Sequence, residues 1–115
     1  IPASSPVARR VENRLPGADA NPYLAIAASL AAGLYGIENE LEPTAAIQGE
    51  FEVPDSLSLP CTLHAALERL KRSHLAMELF GKEFIEGYIA SKTLELTSFY
   101  DEITPWERRV LAAQA

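Results

Sequence analysis

The chain has 115 residues, 48% of them hydrophobic, and a formal net charge of −6. That length suits one small domain or a piece of a larger one, and the apolar content excludes a chain disordered throughout. Its acids outnumber its bases and no basic stripe runs along it, which excludes the electrostatic footprint of a nucleic-acid binder. No run reaches the ~20 apolar residues that a membrane helix needs. The start lacks the basic and apolar blocks of a secretory signal. Cys61 is the single cysteine, so no internal disulfide is available, and a reducing, cytoplasmic setting is expected.

The chain opens at Ile1 and runs into Pro2, Ser4, Ser5 and Pro6, which reads as the edge of something longer. Residues 1–16 are expected to end in a strand over Arg10-Val11-Glu12-Asn13-Arg14. In a strand, residues two apart share a face. Arg10, Glu12 and Arg14 would then form a cation, carboxylate, cation row, suited to holding a metal ion beside two anions. Arg9 points the other way and reads as structural. Pro16-Gly17 ends the strand, so the row sits at the base of a sharp turn, a common place for functional side chains. A single strand leaves its backbone groups unpaired, so it must belong to a sheet completed elsewhere.

Asn21 is a good N-cap and Pro22 is preorganised for the first helical position. The helix expected over 21–36 is apolar nearly all round, broken only by Ser29 and Gly33. A helix with no polar face is a buried one, and Gly36 is its expected stop. Residues 38–61 contain three prolines and six acids (Glu38, Glu40, Glu42, Glu50, Glu52, Asp55) with no Lys or Arg, whereas the rest of the chain carries ten acids against ten bases. This stretch reads as a long acidic surface loop, with a short extended piece around Gln48 to Val53.

From 62 to 115 the pattern is helical. Thr62 caps a helix whose Leu63, Ala66, Leu67 and Leu70 make an i, i+3, i+4, i+7 stripe. A turn is expected from Ser73 to Phe80, ending at Gly81. A long helix follows, about Lys82 to Ile103, with Ile85, Tyr88, Ile89, Leu96, Phe99 and Ile103 near one face. Thr104-Pro105-Trp106-Glu107 is a capping-box pattern opening a last short helix. Cys61, His64 and His74 fit no zinc spacing. The expected fold is mainly α: about four helices plus one N-terminal strand.

The stretch Ala8 to Gly36 resembles the glutamine synthetase superfamily: an Arg-x-Glu-x-Arg strand, a proline, then Ala20-Asn21-Pro22-Tyr23-Leu24 and an alanine-rich helix containing Ala32-Gly33-Leu34. Leu59-Pro60, Thr62-Leu63, Ala65-Ala66-Leu67, Gly81 and Phe84 to Tyr88 are similar as well. The resemblance implies the C-terminal portion of an α+β catalytic domain. It also implies ATP-dependent ligation, in which glutamate is phosphorylated on its side-chain carboxylate and ammonia or an amine displaces the phosphate. By motif position, it makes Glu12 a ligand of Mg2+ or Mn2+, Arg10 a contact to an ATP phosphate, and Arg14 a contact to glutamate. It further implies a homo-oligomer. The apolar tail of Trp106, Val110 and Leu111 would then dock on a neighbouring subunit, or else fold onto its own chain.

One carboxylate cannot hold two metals, so the 115 residues alone are expected to be inactive and to bind no metal tightly. No tyrosine lies between Gly36 and Leu79, where adenylylated relatives carry their regulatory tyrosine. Gly17-Ala18-Asp19-Ala20 and Trp106-Glu107-Arg108-Arg109 look more like the relatives that glutamylate amines such as polyamines. The rival expectation is a non-catalytic helical interaction module derived from the same family.

Overall fold

The computed structural model describes residues 5–45 and 53–114. The chain divides into two compact units, Ile1–Gln48 and Gly49–Ala115. Among the described residues there are five α-helices: α1 (Pro22–Glu38), α2 (Leu63–Lys71), α3 (His74–Phe80), α4 (Lys82–Tyr100) and α5 (Pro105–Ala112). The molecule is mainly α, as its sequence pattern requires.

In the first unit, a single 3-10 turn at Pro6–Ala8 leads into an irregular segment that runs to Leu15. The expected strand is not present, and no strand occurs among the described residues. The physical reason is that a strand exists only with a neighbour to receive its N–H and C=O groups, and none lies alongside here. Asn21 caps α1 as expected, its side-chain oxygen accepting from the Tyr23 and Leu24 N–H groups at 3.0 and 3.3 Å.

Gly36 does not stop α1. The helix continues to Glu38 and closes on a two-bond Schellman motif, in which the Leu41 N–H donates to the Gly36 carbonyl at 2.9 Å and the Glu40 N–H to the Ile37 carbonyl at 3.2 Å. Nor is α1 buried by its own unit: Tyr23 is 82% exposed, Leu30 62% and Ile37 76%. An apolar helix hides its surface only where enough neighbouring elements enclose it.

The second unit builds its core from α2, α3 and α4, with both α2 and α3 packed against α4. Leu67 of the expected α2 stripe and Ile85 of the expected α4 face are buried, and Ala66, Leu70, Tyr88, Ile89 and Leu96 are half-buried. Thr62 caps α2, its hydroxyl accepting from the Ala65 N–H at 3.2 Å.

The stretch expected as a turn, Ser73 to Phe80, is α3, capped by the Ser73 hydroxyl on the Ala76 N–H at 3.1 Å. Gly81 joins α3 to α4 at φ 82°, ψ 141°, a region that essentially only glycine enters. From there the rings of Phe80, Phe84 and Tyr88 follow one another at 6.3 and 6.2 Å. The α4 helix ends at Tyr100, three residues before the expected Ile103. The capping box of α5 forms as read, with both Thr104–Glu107 bonds present. Arg69 donates to the Ser58 carbonyl at 3.1 Å, tying the end of the acidic stretch to α2. The extended piece expected around Gln48 to Val53 lies, apart from Val53, outside the described residues.

Candidate functional site

The three residues singled out by spacing come together. Arg14 turns back on Glu12, its Nε and Nη2 donating to the same carboxylate oxygen, Oε1, at 3.1 and 2.7 Å. Arg10 approaches the other oxygen, with Nη2 3.5 Å from Oε2. One carboxylate is thus bracketed by two guanidiniums, one on each oxygen. In place of an evenly spaced row, the segment forms a closed charge cluster. Charge-assisted, forked bonds of this kind are what arginine's planar donor set provides.

The two arginines are held differently. Arg10 also donates through Nη1 to the Ala8 carbonyl at 3.2 Å, which ties it to the turn at Pro6–Ala8. Arg14 leans on Glu12, and its side chain remains 84% exposed against 59% for Arg10. It is therefore the more accessible cation to an incoming anion.

Beneath the cluster, the intervening residues face α1. Val11, Asn13 and Pro16 line an apolar groove with Ala25, Ile26 and Leu30. The Asn13 side-chain amide donates to the Ser29 hydroxyl at 2.8 Å, and that hydroxyl donates to the Ala25 carbonyl at 2.8 Å. The Asn13 carbonyl oxygen accepts from the Leu15 N–H at 3.0 Å, an Asx turn that shapes the approach to Pro16-Gly17. Sequence reasoning passed over Asn13 and saw Ser29 only as an interruption in an apolar helix. The signal was there: the lone hydroxyl in an apolar stretch needs a partner.

The donor chemistry can be weighed against a divalent ion. Hard cations such as Mg2+ and Mn2+ take oxygen ligands, about six for Mg2+. Glu12 is a suitable oxygen donor, but no group of three or more His, Cys, Asp or Glu able to hold an ion occurs among the described residues. One carboxylate would fill only part of such an ion's coordination shell. Among the described residues, too, no helix is long and apolar enough to cross a membrane.

Comparison with known proteins shows the family. The family model described as the glutamine synthetase catalytic domain matches residues 1–111. The chain is 45% identical over 103 residues to a glutamate–isopropylamine ligase of a Pseudomonas species, covering 87% of this chain and 22% of that protein. It is 44% identical over 100 residues to the gamma-glutamylethanolamide synthetase GlnA4 of Streptomyces coelicolor, again covering 87% of this chain and 22% of the relative. A glutamine synthetase of Cereibacter sphaeroides is 42% identical over 110 residues, covering 88% and 23%. The chain belongs to the glutamine synthetase family, within its catalytic domain. It spans between a fifth and a quarter of the length of these relatives.

Proposed function

We propose that this chain is the part of a glutamate–ammonia or glutamate–amine ligase that brings the Arg10–Glu12–Arg14 cluster to the reaction centre. The supporting observation is the bracketed carboxylate, in which one anion is flanked on one segment by two guanidiniums, Arg14 at 2.7 Å and Arg10 at 3.5 Å. The names of two relatives, which act on isopropylamine and form a glutamylethanolamide, favour an amine over ammonia as acceptor.

In this reading Arg10, anchored on the Ala8 carbonyl, holds a phosphate of ATP. Arg14, exposed and forked, takes the carboxylate of glutamate. Glu12 would hold a divalent ion, which supplies neutralising charge to the phosphates. Catalysis of phosphoryl transfer is mostly positioning and charge stabilisation, and guanidiniums on one segment serve both ends. The γ-carboxylate of glutamate attacks the terminal phosphorus of ATP and ADP departs. The amine nitrogen then adds to the acyl carbon of the glutamyl phosphate, and inorganic phosphate leaves with the proton surplus passed to solvent. The remaining ligands and the nucleotide pocket lie outside these residues, and the ligase is a homo-oligomer acting in the cytoplasm.

The test is ADP release by the full-length protein with ATP, glutamate and a panel of amines, ammonia included. Release that requires both glutamate and an amine is expected, with Arg14→Ala lowering kcat/KM by about a hundredfold or more. No release with any acceptor would overturn the ligase reading in favour of a non-catalytic helical module.

A further inference from the structure

We propose that Asn13 and Ser29 are positioning residues for Arg14, fixing the backbone from which its guanidinium reaches the carboxylate of glutamate. This role rests on the part given to Arg14 above and adds the residues that hold Arg14 in place. Asn13 uses both ends of its amide, and its two bonds admit one orientation. Its oxygen accepts from the Leu15 N–H at 3.0 Å, so its nitrogen is the end that faces Ser29, at 2.8 Å. The Ser29 hydroxyl has one proton, which goes to the Ala25 carbonyl at 2.8 Å. Its oxygen is thereby left as the acceptor that the Asn13 nitrogen needs. Donors and acceptors match at every step from Leu15 to the backbone of α1.

Arg14 is the residue that this chain of bonds encloses. The Asx turn from Asn13 to Leu15 spans it, and the Asn13 amide ties the start of that turn to α1. The bonds from Arg14 to Glu12 join two side chains of one segment, so they move with the segment and cannot place it. The Asn13–Ser29 bond crosses instead to a separate element, whose own start is fixed by the Asn21 cap. A guanidinium presented from a fixed backbone loses less entropy when it engages a carboxylate. Loosening the segment therefore weakens glutamate binding more than it slows the chemical step. Arg10 has its own anchor on the Ala8 carbonyl at 3.2 Å, so the effect falls on glutamate and spares ATP. Both Asn13 and Ser29 are exposed, where a hydrogen bond adds little to stability, and alanine is the best helix former. Ser29→Ala should consequently keep α1 intact.

The experiment measures ADP release by the full-length protein, varying glutamate and ATP in turn, with the amine of the panel above that gives the fastest release. Ser29→Ala is expected to raise the KM for glutamate by about threefold to tenfold, with little change in the KM for ATP and a smaller fall in kcat. Ser29→Thr keeps the hydroxyl and is expected to restore the KM for glutamate. A general loss of structure would lower kcat without favouring one substrate. An unchanged KM for glutamate in Ser29→Ala, an equal rise for both substrates, or no rescue by Ser29→Thr overturns the positioning role. Should Ser29→Ala fail to fold, an unchanged KM for glutamate in Asn13→Ala overturns it. Arg14→Ala separates the two levels. If that variant leaves the KM for glutamate unchanged, or if no acceptor gives release, the underlying reading falls and the positioning role with it. If Arg14→Ala raises this KM while Ser29→Ala does not, the positioning role alone falls.

Discussion

Glu40 sits at φ 51°, the one non-glycine at positive φ among the described residues, because the Schellman ending of α1 requires a left-handed residue just past the helix. A side chain there costs about 1 kcal/mol relative to glycine. Glu40→Gly should therefore raise stability by about 0.5–1 kcal/mol, read as a higher midpoint in urea. Gly81 is the reverse case: open space surrounds its Cα, yet its φ of 82° forbids a side chain. Gly81→Ala should cost about 1–3 kcal/mol in the same measurement, and an unchanged midpoint would mean that the α3–α4 joint relaxes freely. The charged cluster was legible at this level because an i, i+2 spacing is a local property. The Asn13–Ser29 bond was not, since it joins residues sixteen apart and nothing in the local pattern states which distant group a polar side chain will find.

The helices were legible where a cap and a periodic face coincided, as at Asn21, Thr62 and Thr104. They were misread where one signal was missing. The α3 helix has seven residues, too few to display a period, and Gly36 was read as a stop although a glycine inside a helix costs only about 1 kcal/mol. The strand failed for a different reason, because its existence depends on a partner and not on its own residues. For α5, the capping box carries a pH signature. The Glu107 carboxylate accepts from the Thr104 N–H at 2.7 Å, and this bond, followed by the one from the Thr104 side chain, holds its pKa below the ordinary 4.5. A lowered folded value stabilises the folded form fully above the ordinary value and stops doing so as pH falls through the lowered one. Amide-exchange protection in α5 should thus hold down to about pH 4.5 and decline in more acidic solution. Glu107→Gln should remove that dependence; an identical acid profile in the variant would rule out the box as its source.

Among the described residues, each unit by itself buries little. Leu67 and Ile85 are the buried hydrophobic residues among those described, while Ile26, Leu34, Phe99, Ile103 and Trp106 are each more than half exposed. Large exposed apolar surface on a soluble chain marks an interaction face or a tendency to associate. The 115 residues prepared alone should therefore sediment as concentration-dependent oligomers and enhance the fluorescence of an apolar dye. A sharp monomer boundary at all concentrations, with no dye response, would refute this. Within its own unit, α1 keeps an all-apolar sequence and an exposed surface together.

The clasp between Asn13 and Ser29 also sets a parity. Odd-numbered positions, Val11 and Asn13, are turned toward the helix, while the even-numbered Arg10, Glu12 and Arg14 gather into the ionic triad. Exchanging one residue for another in this stretch disturbs one side only. Losing or gaining a single residue between Arg9 and Asn13 would instead shift Asn13 away from Ser29 and break the hydrogen bond that ties this segment to α1. The side-chain reach of Asn13 thus sets the spacing between this segment and the first turns of the helix.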